Sequence, residues 1–163
     1  MKDAIPNLFA HWISLDIIAY LRLVSGTGNT RANWLRIMNR PNRYIKREAL
    51  APFTSDISVA QLKAYYQDKD WMLERLDRLE YDLSIMKRMS PYAAIHYLSN
   101  AMKYQDYLKD YAKEHHINEQ ELLDVLNAVH ESSQSCRTFA EWFTYIDTYT
   151  DELQKQAKSP ASK

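Results

Sequence analysis

Residues 14–41 read SLDIIAYLRLVSGTGNTRANWLRIMNRP, and this stretch decides the fold class. Apolar side chains recur at helical spacing after Ser14, which predicts a helix over 14–24 with Ser14 as its N-cap. Both of the chain's glycines follow and end that helix. Thr30 then caps a second helix, which Pro41 stops because proline cannot continue the helical hydrogen bonds. The stretch therefore predicts two consecutive helices.

The same periodicity continues to the end of the chain. The further predicted helices are a short one near 45–50, then 59–66, 69–88, one opening at Ser90-Pro91, 105–115, and two opening at Asn118 and Thr138. No segment alternates as a strand does. We therefore predict an all-α fold, a single domain of about eight helices over 1–156 with no significant sheet, followed by a flexible tail over 157–163.

Composition excludes several classes of protein. The chain has 163 residues, which fits one domain, and two glycines, which argues against a β-rich fold and against a glycine-rich phosphate loop. Its single cysteine cannot form an internal disulfide. No apolar run is long enough to span a membrane, and the N-terminus lacks the apolar segment of a signal peptide. The sequence predicts a cytoplasmic protein.

Positive charge is concentrated in LRIMNRPNRYIKREAL, residues 35–50, although the whole chain is neutral. Residues 1–50 carry eight Lys and Arg against three Asp and Glu, whereas residues 51–163 carry thirteen against eighteen. The basic run flanks a proline break that leads to a new helix start, an arrangement that suits a phosphate backbone. The alternative is that the basic run neutralises the acidic remainder of the chain. Charge alone leaves both interpretations open.

The other candidates for chemistry have simpler structural interpretations. His115 and His116 lie at a predicted helix end, where positive side chains suit the helix dipole, and no metal-ligand spacing accompanies them. Cys136 is favoured as a small core residue. The twelve tyrosines have mostly acidic neighbours, which repel phosphate, so packing roles are favoured. The sequence predicts no catalytic residue, no metal site and no cofactor in this chain.

Residues 16–50 resemble a segment of the UvrD/Rep/PcrA-type superfamily 1 DNA helicases. That segment has a helix of the pattern D-x-x-A-Y-L-R-L, a second helix with L-x-R-(I/V)-x-N, and then P-x-R-G-I-G. The matching residues are Asp16, Ala19, Tyr20, Leu21, Arg22 and Leu23 in the first element, Leu35, Arg36, Ile37 and Asn39 in the second, and Pro41, Arg43 and Ile45 in the third. Residues 104–146 resemble the family's later helices more loosely.

The resemblance implies an accessory 2B subdomain, an all-helical insertion in the second motor domain of a DNA helicase. Its partners would be double-stranded or forked DNA, held without regard to sequence, and the motor domains of the same parent chain. ATP and magnesium would bind those motor domains, so this chain alone should not hydrolyse ATP or unwind DNA. Tyr44 and Lys46 stand where the family has glycines. The predicted nucleic-acid-binding residues are Arg36, Asn39, Arg40, Arg43, Tyr44, Lys46 and Arg47.

A second hypothesis comes from a different class of function. The acidic, tyrosine-rich helices over 104–153 would form a helical protein-interaction module. The basic run distinguishes the two hypotheses. Side chains that project together into solvent favour DNA, and side chains that pair with Asp or Glu of the later helices favour the interaction module.

Overall fold

The computed structural model describes residues 5–27, 30–54 and 56–158 of the protein, and none of these residues lies in a strand. The α-helices are α1 (Trp12–Ser25), α2 (Thr30–Ile37), α3 (Val59–Tyr65), α4 (Asp70–Met86), α5 (Pro91–Asn100), α6 (Tyr104–Glu114), α7 (Glu119–Ser132) and α8 (Phe139–Lys158). The predicted all-α fold of about eight helices is confirmed. Helix α8 reaches Lys158, and the rest of the predicted tail, 159–163, lies outside the described residues.

Helix α1 lies at the centre of the fold. It packs against α2, α4, α5, α7 and α8, and Ile13, Ile17 and Leu21 on it have no exposed surface. Full burial of a side chain of this size stabilises the fold by about 1.5–3 kcal/mol. Because α2 makes its main contacts with α1, the loop that follows α2 is held close to the core.

The predicted start of α1 is wrong. The helix begins at Trp12, and its N-cap is His11, whose Nδ1 accepts a hydrogen bond from the Ile13 N–H at 3.1 Å. Ser14 is buried inside the helix, and its hydroxyl donates to the carbonyl of Leu8 at 2.7 Å. The cause lies in the residues just before the helix: a 3₁₀ turn over Leu8–Ala10 leads directly into it, and Leu8 supplies the acceptor for Ser14.

The prediction of a short helix near 45–50 is also wrong. The structure has only a 3₁₀ turn over Arg47–Ala49. Side chains take the backbone groups that a helix there would need: Asn39 bonds both the N–H and the carbonyl of Ile45, and the Tyr66 hydroxyl accepts from the N–H of Lys46 at 2.9 Å. The chain before Arg47 is therefore held out of a helix.

Several helix ends carry recognisable capping residues. Ser58 forms a capping box with Gln61 at the start of α3, and Ser90 caps α5 with Pro91 at the first helical position. Gly26 ends α1 in the left-handed conformation with φ 77°, which glycine adopts without strain. Thr30 is the first helical residue of α2 rather than a residue before it. In the part of the chain that is described, no helix combines the length and apolarity that crossing a bilayer requires.

Candidate nucleic-acid interface

A buried carboxylate organises the basic run. Asp16 on α1 has no exposed surface, and its Oδ1 lies 2.9 Å from Nη1 of Arg40 and 2.8 Å from Nε of Arg36. The Arg36 contact is an ion pair whose N–H is not aligned as a hydrogen bond, while its Nη2 donates to the carbonyl of Trp12 at 3.1 Å. The Tyr104 hydroxyl donates to Asp16 Oδ2 at 2.7 Å. One carboxylate thus ties together α1, α2, the following loop and α6.

Burial is the main cause of the raised pKa values of Asp16 and Tyr104. It raises the pKa of Asp16, and the Tyr104 hydroxyl with the Arg40 and Arg36 guanidiniums opposes that rise. Burial and the neighbouring Asp16 carboxylate raise the pKa of Tyr104 well above its usual value. Tyr104 therefore remains a hydroxyl donor to Asp16 throughout the physiological pH range.

Arg43 closes the end of α2. Its Nη1 donates to the carbonyls of Ile37 and Met38 at 3.1 and 3.2 Å, which are among the acceptors that a helix end leaves unpaired. Its Nη2 donates to the Tyr20 hydroxyl at 3.0 Å, and that hydroxyl donates to the carbonyl of Arg40 at 2.6 Å. Arg43 therefore serves as a helix cap and fixes the path of the loop.

The Asn39 side chain holds the same loop from inside. Its Oδ1 accepts from the N–H groups of Arg43 and Ile45 at 3.1 and 3.0 Å, and its Nδ2 donates to the carbonyl of Ile45 at 2.8 Å. A single amide thus makes three hydrogen bonds to backbone within the loop. Residues 39–45 consequently have one defined conformation rather than the freedom of an unsupported turn.

The next residues project outward. Tyr44 is 60% exposed and adopts a left-handed φ of 60°, which is a strained conformation for a bulky residue. The Asn42 Oδ1 supports it by accepting from the Tyr44 N–H at 2.9 Å. Lys46 and Arg47 are exposed, and their side chains form no ion pair or hydrogen bond with any described residue. The loop therefore presents one aromatic ring and two unpaired cations.

A cleft of about 590 Å³ lies beside the loop, between residues 41–43, helix α4 and the turn over 101–103. Its charged lining residues are Arg43, Arg75, Arg78 and Lys103, together with the acidic Glu74 and Asp82. Asp82 is already engaged, because Arg78 Nε lies 3.3 Å from its Oδ1 and the Tyr97 hydroxyl donates to the same oxygen at 2.6 Å. Cations therefore outnumber carboxylates in the cleft.

Helix α4 contributes residues that sequence reasoning missed. Trp71, near the start of that helix, is 53% exposed. The buried apolar positions are Met72, Leu76, Leu79 and Met86, a stripe at helical spacing that begins one residue after Trp71. Counting from Met72 would have placed Trp71 outside the core. No sequence signal brings Arg75 next to the loop, since that contact depends on the tertiary packing.

The structure divides the seven predicted site residues into two groups. Arg36, Arg40, Arg43 and Asn39 have their side chains committed to Asp16 and to backbone groups. Tyr44, Lys46 and Arg47 project from the loop. Arg36 and Arg40 pair with Asp16 on α1, and Arg43 donates to Tyr20 on the same helix, rather than to Asp or Glu of the later helices. The predicted contact of all seven residues with DNA stays a prediction.

No group of three or more His, Cys, Asp or Glu side chains is placed to hold a metal ion among the residues described above. Cys136 is half-buried against the core, and burial raises the pKa of its thiol. The candidate site is therefore a charged surface. Compared with known proteins, the chain matches no family model, no curated protein and no solved structure.

Proposed function

We propose that the chain is a helical nucleic-acid-binding domain that holds duplex DNA by its phosphate backbone without reading sequence. The observation that carries the proposal is the pair of exposed cations, Lys46 and Arg47, which have no side-chain partner among the described residues and lie on a loop whose conformation is fixed from inside. Lys and Arg contacts to phosphate position a protein on DNA without selecting a base sequence.

Rigidity of the loop supports this function. Asn39 and Arg43 bond its backbone, and the Tyr66 hydroxyl bonds the N–H of Lys46. A loop that is already ordered loses little conformational entropy when it binds, so more of the contact energy appears as affinity. The cleft lined by Arg75 and Lys103 extends the positive surface beside it.

We further propose that the domain acts as the accessory, regulatory subdomain of an ATP-dependent DNA helicase, as the sequence resemblance implies. The residues that carry the resemblance support it, because Asp16, Tyr20, Asn39 and Arg43 together build the loop. Tyr44 stands where the family has a glycine, and it keeps the left-handed φ that glycine favours. The parent's motor domains would bind ATP and magnesium, and this chain would supply duplex contact and regulation.

The alternative, a protein-interaction module on residues 104–153, would have few exposed tyrosines with which to contact a partner. Tyr104 is buried, and Tyr107 and Tyr111 pack partly buried against the core, where the Tyr111 ring lies 4.7 Å from that of Trp12. Tyr145 on α8 is 42% exposed and remains available to a partner. Most tyrosines of α6 therefore contribute to packing rather than to an open face.

A binding titration with a matched control tests the proposal. Fluorescence anisotropy would follow labelled duplexes of about 20 base pairs, in two unrelated sequences, at about 20 mM salt where non-specific binding is strongest. The test variant is Lys46→Glu/Arg47→Glu. The control is Lys87→Glu/Arg88→Glu, which makes the same change in another exposed Lys-Arg pair, at the end of α4 and outside the cleft lining.

We expect both duplexes to bind equally, with a Kd in the range of about 10⁻⁴ to 10⁻⁶ M that is typical of non-specific contact. The test variant should lose at least about tenfold in affinity because two phosphate contacts become repulsions, and the control should change much less. Equal losses in the two variants, or no binding by the wild type, would contradict the proposal.

A further inference from the structure

An exposed aromatic and cationic patch adjoins the basic loop. It consists of Tyr44 on the loop with Trp71 and Arg75 on α4, and it is called the stacking patch below. The Arg75 Cζ lies 4.9 Å from the centre of the Tyr44 ring and 5.1 Å from that of the Trp71 ring. One guanidinium therefore joins the loop and the helix into a single surface.

Both rings of the patch are open to a ligand. Tyr44 is 60% exposed and Trp71 is 53% exposed, and neither ring packs against another ring of the described residues. Arg75 forms no ion pair with a described carboxylate, so its positive charge remains available to an anionic ligand beside the two rings. Large aromatic side chains left exposed together in this way mark a contact surface.

We propose that the stacking patch is a binding site for an unpaired nucleobase, an inference that rests on the proposed function. Trp, Tyr and Arg provide flat surfaces on which any base can stack, so such a site tolerates every sequence. The charges around it suit a nucleic acid, because the adjoining cleft carries Arg43, Arg78 and Lys103. An acidic strand would thus find cations for its phosphates and rings for its bases on one face.

Charge favours this ligand over a protein surface of ordinary composition. Of the two carboxylates that line the cleft, Glu74 has no basic partner among the described residues, and Asp82 is engaged by Arg78 and Tyr97. A nucleotide stacked on Trp71 brings a phosphate to the face that carries Arg75, whereas an apolar protein partner leaves that cation unpaired. The patch therefore complements a ligand that is flat, aromatic and anionic.

The test compares two probes that differ only in their bases. Both are the same duplex with a single-stranded extension of about three nucleotides, a length suited to one stacking platform. One extension carries thymines and the other is abasic, so the phosphates are identical. The blunt duplex serves as the third probe. Affinities would be measured for the wild type, Trp71→Ala and Tyr44→Gly, with Tyr81→Ala as the matched control, because Tyr81 is a 56% exposed tyrosine on the same helix outside the patch.

We expect the thymine extension to bind at least about fivefold more tightly than the abasic one, as stacking of one base requires. That ratio should fall close to one in Trp71→Ala and in Tyr44→Gly, and stay unchanged in Tyr81→Ala. Glycine suits the left-handed backbone at position 44, so the second variant tests the ring without disturbing the loop. Tryptophan fluorescence should be quenched by the thymine probe and not by the abasic probe, because Trp71 is the exposed one of the four tryptophans, whereas Trp34 and Trp142 are buried and Trp12 packs partly buried against the core.

Equal affinity for the thymine and abasic extensions, with the blunt duplex still bound, would overturn the stacking patch and leave the proposed duplex contact intact. A thymine preference that survives in both patch variants would also overturn it. Failure of all three probes to bind the wild type would overturn the proposed function, and the stacking patch with it.

Discussion

The two halves of the basic run, residues 36–43 and 44–47, carry similar residues and are used differently. In the inner half, Arg36, Arg40 and Arg43 bond Asp16, a helix end and a tyrosine hydroxyl. In the outer half, the Lys46 and Arg47 side chains have no partner among the described residues. The difference shows that a cluster of like charges in sequence is not one surface in space. A buried carboxylate eighty-eight residues from Tyr104 decides which cations remain free.

The largest effect is expected from removing the carboxylate of the inner half. Asp16→Ala leaves two guanidiniums and the Tyr104 hydroxyl without their shared partner, and breaking a buried pair from one side costs about 3 kcal/mol or more. The matched control is Asp77→Ala, which removes a 65% exposed carboxylate paired with Lys63 and should cost less than about 0.5 kcal/mol. Urea unfolding measures both, and a loss for Asp16→Ala no larger than the control's would break the comparison.

The next effect is expected at the end of α2. Arg43→Ala removes the side-chain donor to the carbonyls of Ile37 and Met38 and to the Tyr20 hydroxyl, and Ile37 keeps the N–H of Arg40 as a donor, so we expect a loss of about 2 kcal/mol in the free energy of unfolding. Arg47→Ala removes the same side chain from the outer half and should change stability by less than about 0.5 kcal/mol. Equal changes in the two variants, measured by the same unfolding titration, would show that the halves do not differ.

How far the sequence could lead is visible in these two residues. Helical periodicity, with capping residues such as Ser58, Ser90 and Gly26, was enough to predict the fold class. The sequence does not distinguish Arg43 from Arg47, because both are arginines in the same basic run. The distinction between the two arginines depends on Tyr20 lying against the end of α2, a contact between residues twenty or more positions apart. Local pattern carries no information about such a contact.

The exposed position of Trp71 could not be predicted for a related reason. Trp71 lies at helical spacing with apolar residues of α4, and that spacing alone suggests a place in the core. The register of α4 is instead set by Met72 and Leu76, which are fully buried and leave Trp71 one position outside the apolar stripe. The contact of the seven basic-run residues with DNA stays a prediction, and the sequence could not show that these residues divide into an inner and an outer group.

A smaller effect concerns the cap of the helix that carries Asp16. The Nδ1 of His11 can accept from the Ile13 N–H only while it is unprotonated, and burial lowers the pKa of His11 against the opposing effect of Asp16. A lowered folded-state pKa means that this stabilisation is complete above the ordinary histidine value of about 6.5 and is lost as pH falls through the folded-state value.

His11→Asn isolates that contribution, because asparagine is a good N-cap that does not titrate. We expect the wild type to lose about 0.5–1 kcal/mol more stability than the variant between about pH 7.5 and pH 4.5. His130, whose pKa is also lowered by burial, is common to both proteins and cancels in the difference. Parallel pH profiles of thermal unfolding would argue against His11 as the cap.

The salt dependence of duplex affinity tests the division of the basic run most directly, because its slope counts the phosphates that a protein neutralises. For the wild type we predict a slope of log affinity against log salt of roughly −3, from Lys46, Arg47 and the cations of the adjoining cleft. Lys46→Gln/Arg47→Gln should reduce the slope to about −1, since each phosphate contact contributes roughly −0.9. Lys87→Gln/Arg88→Gln should keep the wild-type slope, and an unchanged slope in the Lys46/Arg47 variant would contradict the account.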